Sequence, residues 1–367
     1  MASIVFNPLG PTVPSTFGLS SSAPISSPLP TPTISDTSSN FAASTMAFTQ
    51  VVQNCNKFSF KENQNALFTF YVLDHEEPVG YMLPDFITRM DWQVPGFEIN
   101  MTESFVRLNP ATGPGETVEQ ACEKAFVALC KANVDRVSGL AKWVGLYDAD
   151  DSPEYHPILG LPTGHARLEV PSPLRGVFGI VTSGAHMTMY TFKDNNLHIW
   201  VAKRSPHVTY ASKYDQLAAG AVASEDGNNP IVTMAREALE EACLEVDTET
   251  CKVTAGGSPL GTLCIGRLIS FYDKKGAVAG SESGQLEPGI RHTFELEVPE
   301  AFEPTPGEPH AIEGFYLLTV EEVKDSLKAG NWKPNSALVM LSFLEARGLL
   351  PNEGGYKLDV LNSVLKY

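Results

Sequence analysis

The feature that most constrains this chain is the run Arg236-Glu237-Ala238-Leu239-Glu240-Glu241-Ala242-Cys243-Leu244. Alanine, leucine and glutamate favour helix. As a helix the run places Glu237 and Glu241 four residues apart, with Glu240 three from the first, so all three carboxylates crowd one side. Ala235, Leu239 and Ala242 lie broadly on another side and are expected to pack on a core. Like charges at this spacing repel one another. A hard divalent cation offsets that repulsion, since Mg²⁺ takes oxygen ligands and shares its shell between carboxylates and substrate phosphates. A solvated acidic face is the other reading of the spacing alone.

Charge narrows the partners. The 367 residues carry a formal net charge of −17, a field that repels nucleic-acid backbones, so no nucleic-acid partner is expected. A phosphorylated small molecule is repelled too, unless a metal ion or local Lys and Arg invert the sign at its site. The six cysteines show no C-x-x-C pairing and no zinc spacing, which reads as structural thiols. No run approaches the roughly 18 apolar residues of a membrane span, so no membrane partner is expected. Oligomeric state is not legible in the sequence.

The length suits two modest domains. Residues 1–48 are rich in Ser, Thr and Pro, with Asp36 their one charged side chain. They read as a disordered, low-complexity tail. The tail lacks the basic residues of a secretory signal or transit peptide. A cytoplasmic location is therefore the expectation, with organellar targeting by the tail left open. Residues 49–170 read as a small α+β domain: strand formers at 66–73 and 78–84, a helix over 117–132 with Thr117 and Gln120 at capping-box spacing, and Trp143 as a core anchor. Residues 171–350 alternate strands with the acidic helix and two later helices, an α/β sandwich. Residues 351–367 form a C-terminal extension.

The acidic run resembles the core of the Nudix hydrolase signature, G-x5-E-x7-R-E-U-x-E-E-x-G-U, in which U is a bulky aliphatic. Arg236, Glu237, Glu240, Glu241 and Leu244 match it. Ala238 is small for its slot and Cys243 replaces the closing glycine. Counting back from Arg236, the loop glutamate falls on Asn228 and the first glycine on Val222. Gly220 supplies that glycine if 223–229 carry a short insertion. Further stretches resemble the thiamine pyrophosphokinase-related branch of the superfamily: 178–186, Ile199-Trp200-Val201-Ala202-Lys203-Arg204-Ser205, 213–220, 313–317 and Trp332-Lys333-Pro334-Asn335-Ser336-Ala337-Leu338-Val339. This chain has Gln216 for the usual Asn, Ala221 for a second glycine, and Gly289 for a carboxylate near the active-site rim.

The resemblance implies a Nudix α/β/α sandwich with a mixed sheet, preceded by a small family-specific α+β domain. It implies a Mg²⁺-dependent hydrolase, with Mn²⁺ a substitute, that cuts the diphosphate of thiamine diphosphate or its oxidised analogues to the monophosphate. Alternatives are another organic diphosphate, such as a nucleotide sugar or isoprenoid diphosphate, and a catalytically weak diphosphate-binding protein. Glu237 and Glu241 are the expected principal metal ligands, and Glu240 a ligand or base. Glu241 and Glu240 are the candidate catalytic residues, and the choice of base stays open. Arg236 is expected to orient the helix through a salt bridge, with Glu225 or Asp226 replacing the missing loop partner. Lys203 and Arg204 are candidates for the diphosphate, and Trp200 and His186 for the organic moiety, though residues of these two types are more often core. A chain beginning at Met46 is expected to keep its melting temperature and activity, because the tail offers few large apolar side chains to dock. Loss of soluble protein on that truncation would show a structural role for the tail.

Overall fold

The computed structural model describes residues 47–165, 167–351, 356–361 and 364–365. The expected tail lies outside the described residues except for its last two positions, where the helix Phe48–Gln53 begins. Among the described residues no helix is long and apolar enough to cross a membrane.

The strand Phe68–Val72 buries Phe68, Phe70 and Val72 by simple alternation. It joins Gly80–Met82, Phe105–Leu108 and Phe97–Asn100 in a four-stranded sheet, parallel only against Phe105–Leu108. The helix Val118–Ala132 begins with the expected Thr117–Gln120 capping box and buries Cys122, Phe126, Leu129 and Cys130. The helix Leu140–Asp148 follows, its Trp143 buried with Nε1 donating to the Glu154 carbonyl at 2.8 Å.

A nine-stranded mixed sheet carries the rest of the chain. Its centre is Thr182–Lys193, parallel to Leu286–Glu297 on one side. On the other side it is antiparallel to Asn196–Arg204 at one end and to Ala218–Ala221 at the other. Alternation sorts the two faces. Ala185, Met187 and Met189 share a core with Met234, Ala238 and Ala242 of the helix Pro230–Ala242. Ile199, Val201 and Phe271 pack on the other face with the helices Val320–Lys328 and Pro334–Ala346. The result is mixed α/β with helices on both sides of the sheet. Ser258–Lys274 runs as one strand of 17 residues.

Two segments cross between the cores. Phe48, Val51, Val52 and Cys55 pack with the helix Pro334–Ala346. Phe178, beyond the expected boundary at residue 170, sits in the first core with its ring 4.2 Å from Phe70 and 5.6 Å from Phe126. The crossing is tight. Gly80 bridges Ile180, and a methyl group at Gly80 would overlap the Phe178 carbonyl. Gly179 has φ of +57°, and a methyl there would overlap the Tyr81 carbonyl. Both obstacles are backbone and cannot swing away. Gly179→Ala is therefore expected to destabilise the protein by about 3 kcal/mol, overpacking added to left-handed strain. Chemical denaturation checks it, and an unchanged midpoint would contradict this view of the crossing.

Candidate active site

The signature helix Pro230–Ala242 starts where Asn229 accepts a hydrogen bond from the Ile231 amide and Pro230 fills the first turn. Its core stripe is Met234, Ala238 and Ala242, spaced by four. Leu239, expected on the core side, is instead 54% exposed. Ala242 is buried as expected, the other two positions of the stripe lie one residue earlier, and the small Ala238 is wholly buried. The helix ends at Cys243, with φ of 54°, a left-handed position that explains the glycine of the general pattern.

Arg236 organises the acids. Its Nε and Nη2 meet Asp226 Oδ1 and Oδ2 at 3.2 and 3.1 Å, and Thr233 Oγ1 donates to Oδ2 at 2.7 Å. Asp226 stands six residues after Gly220, the place of the loop glutamate when the signature is counted forward. The two extra residues therefore fall between Asp226 and Arg236, in the turn where Gly227 and Asn228 both have positive φ. Arg236 Nη1 also meets Glu237 Oε1 at 2.9 Å and Glu240 Oε2 at 3.0 Å.

Glu237 lies against Gly220, where any side chain would overlap its carboxylate. Glu241 Oε2 accepts from the Ala219 amide at 2.8 Å. Since Ala218–Ala221 pairs only with Thr182–Lys193, Glu241 meets its free edge, while Glu237 lies over its face at Gly220. Burial raises the Glu237 carboxyl, Arg236 opposes this and Glu240 adds to it. The Glu241 carboxyl is raised further, by burial first, with Asp215 and Glu237 adding and the Ala219 amide opposing. Two inward carboxylates on successive turns, short of positive charge, are a donor set that fits a hard divalent ion. Among the described residues no group of three or more His, Cys, Asp or Glu is arranged to hold a metal. Glu240, 45% exposed at its side chain, is turned onto Arg236.

The same strand borders a cavity of about 600 Å³, lined in part by Gly184, His186 and Ala219–Ala221. None of the three helix glutamates lines it. Two charged clusters do. In one, Asp215 is shared by Arg204 Nη1 at 2.9 Å and Lys333 Nζ at 3.1 Å, and accepts from Ser336 Oγ. Lys333 is fixed because its amide donates to the Tyr214 carbonyl. In the other, Glu282 is shared by Arg175 and Lys275, and Glu287 by Lys275 at 3.4 Å and Arg291 at 3.1 Å. The wall holds six cations, Lys142, Arg175, Arg204, Lys275, Arg291 and Lys333, against Glu154, Asp273, Glu282 and Glu287. In a protein of net charge −17 this is the local inversion of sign that a phosphorylated ligand needs.

The sequence candidates divide accordingly. Arg204 and His186 line the cavity. Lys203 does not; its Nζ is drawn 2.8 Å from Glu313 Oε1 on the neighbouring strand. Trp200 does not either. Paired with Met189, its indole joins the core on the signature-helix face, opposite His186. Gly289 is explained by packing, since a side chain there would overlap the Phe271 ring, over which Arg291 lies at 4.8 Å. Asp215 and Lys333, missed as site residues, lie inside the stretches that carried the resemblance. Arg175, Lys275 and Glu287 carried no signal of their own.

Asp215 offers a stability test. It is 5% exposed, and Lys333 and Arg204 together hold its carboxyl below its ordinary range against the opposing effect of burial. Asp215→Asn leaves those two cations unbalanced and is expected to cost about 3 kcal/mol. A lowered carboxyl stabilises fully above about pH 4 and loses that stabilisation as pH falls through its folded value. The gap between wild type and variant in urea melts therefore narrows on acidification, and a gap independent of pH would contradict the assignment.

No family model matches the chain. An uncharacterised protein of Saccharomyces cerevisiae is 29% identical over 181 residues, 48% of this chain and 50% of that protein. Nudix hydrolase 20 of Arabidopsis thaliana, described as chloroplastic, is 27% identical over 185 residues, 49% of this chain and 43% of that protein. Among solved structures, the NUDIX domain of Shewanella oneidensis NrtR, complexed with ADP ribose, superposes with a TM-score of 0.33 at 6% identity, covering 46% of this chain and 90% of that one. The chain spans about half the length of the curated relatives it matches. Over about half its length, then, the chain is similar to a relative named as a Nudix hydrolase.

Proposed function

We propose that this protein is a divalent-metal-dependent Nudix hydrolase of an organic diphosphate, with thiamine diphosphate or its oxidised analogues as substrate. The observation that carries the reading is the placing of Glu237 against Gly220 and of Glu241 against the Ala219 amide, on the strand whose residues also border the cation-lined cavity. Glu237 and Glu241 would hold Mg²⁺ or Mn²⁺, joined by Glu240 if it leaves Arg236. When bound, the ion neutralises phosphate charge and activates a water. Arg204 and Lys333 would bind phosphate oxygens through charge-assisted hydrogen bonds, and Asp215 fixes both of them. The Asp226–Arg236 fork holds the helix, and with it the two acids, against the strand. Trp143 and Tyr210 line the cavity and take the aromatic role first given to Trp200.

A specific observation favours a second reading, another organic diphosphate. The buried Arg291 faces the cavity, where a thiazolium would meet like charge. An oxidised thiamine that has lost its ring charge, or a nucleotide sugar, escapes this penalty. The ten charged side chains of the lining disfavour an isoprenoid.

Glu241→Gln is expected to lower turnover at least about a hundredfold with an unchanged melting temperature, because shape is kept and one charged group is lost. Release of inorganic phosphate from thiamine diphosphate and oxythiamine diphosphate, and of UMP and glucose 1-phosphate from UDP-glucose, with and without Mg²⁺, supplies the rates. A variant as fast as wild type would sink the assignment of the helix. Efficient cleavage of UDP-glucose with the thiamine compounds ignored would replace the first reading by the second.

A further inference from the structure

The cavity has two sides, and only one belongs to the sheet that carries the signature helix. The other is built from the end of the N-terminal α+β region: Lys142 and Trp143 on the helix Leu140–Asp148, then His156 and Arg175. Arg175 is held in place by His156 Nε2 at 2.7 Å, Ser172 Oγ at 2.8 Å and Glu282. Lys142 is exposed, borders the cavity, and forms no ion pair among the described residues. Across from them on the sheet is His186, which is 2% exposed, and its buried Nδ1 has no hydrogen-bond partner.

An orphaned polar atom at a cavity wall needs a reason. Burial lowers the His186 pKa, and Arg291 and Lys333 lower it further, so the ring is neutral and carries one proton. An orphaned buried N–H is rarer than an under-satisfied acceptor. With its proton on Nδ1 the ring is a neutral donor, and that rare orphaned N–H calls for an accepting oxygen from a ligand. Lys142 and Arg175 are also donors and never acceptors. Of the carboxylates around Arg175, Glu282 and Glu287 are already shared between cations, and Glu154 accepts from Ser172 Oγ at 2.9 Å and lies 3.1 Å from His156 Nε2.

We propose that the organic half of the substrate is recognised between the two sides, with His186 on the sheet and Lys142 and Arg175 opposite forming a donor surface that selects organic groups presenting an accepting or anionic oxygen. The N-terminal region is then the specificity half of the site. This rests on reading the cavity as the place of an organic diphosphate, but not on its hydrolysis.

Calorimetric titration of wild type, Lys142→Ala and His186→Leu tests it with three probes. Oxythiamine diphosphate and UDP-glucose both carry ring carbonyls, and methylene diphosphonate has no organic half. The expected result is that wild type binds at least one of the carbonyl compounds more tightly than methylene diphosphonate. Each variant should weaken that compound about tenfold and leave methylene diphosphonate unchanged. His186→Leu should melt no lower than wild type, since it removes an orphaned polar group rather than a structural bond. Lys142 is exposed, so its variant keeps the test valid if the histidine variant is poorly folded. Equal weakening of all ligands, no weakening, or no preference of wild type for a carbonyl compound would overturn the proposal. Binding as expected without Mg²⁺-dependent cleavage of the diphosphate would leave it standing and remove the hydrolase reading.

Discussion

Three acids on one side of a helix repel each other, and this structure depends on how that repulsion is met. Arg236 meets part of it, by gripping Asp226 with two nitrogens while touching Glu237 and Glu240. The backbone meets another part through the Ala219 amide on Glu241. What remains is a pair of carboxyls, Glu237 and Glu241, both raised by burial beside a strand where Gly220 leaves room for them. A salt bridge this exposed on one side contributes little to stability by itself. Its effect is positional, since it sets which carboxylates face inward and which one faces solvent.

Charge sharing also shapes the cavity. Asp215, Glu282 and Glu287 each serve two cations, so both clusters carry a cation in excess of their acids. Buried charges are retained where they are paired and hydrogen-bonded. A net excess of positive charge at a wall is stable only beside water or an anionic ligand. The buried Arg291 shows this most clearly, with Glu287 on one side and the Phe271 ring beneath it.

Much of this was legible in the sequence, for identifiable reasons. Period-two alternation gave the central strands, and the Thr117–Gln120 spacing gave a capping box that forms as expected. Asp226 as the partner of Arg236 was foreseeable, because the short insertion leaves the count from Gly220 forward intact. Leu239 misled, since three- and four-residue spacing allows two adjacent stripes on a short helix and only packing against Met187 and Met189 selects between them. Trp200 misled because its rank among strand formers says nothing of which face meets a cavity. The chain from Arg175 to Arg291 spans more than a hundred residues of sequence, and no local pattern records it.

The central claim is that Glu237 and Glu241 together hold a divalent ion beside the Gly220 strand while Glu240 is held aside by Arg236. Mn²⁺ binding followed by electron paramagnetic resonance, on wild type and on single Glu→Gln variants at the three positions, tests it most directly. The account predicts that Glu237→Gln and Glu241→Gln each weaken binding at least about tenfold, as loss of a charged ligand does, and that Glu240→Gln has a smaller effect. Equal Mn²⁺ affinity in wild type and all three variants would contradict it.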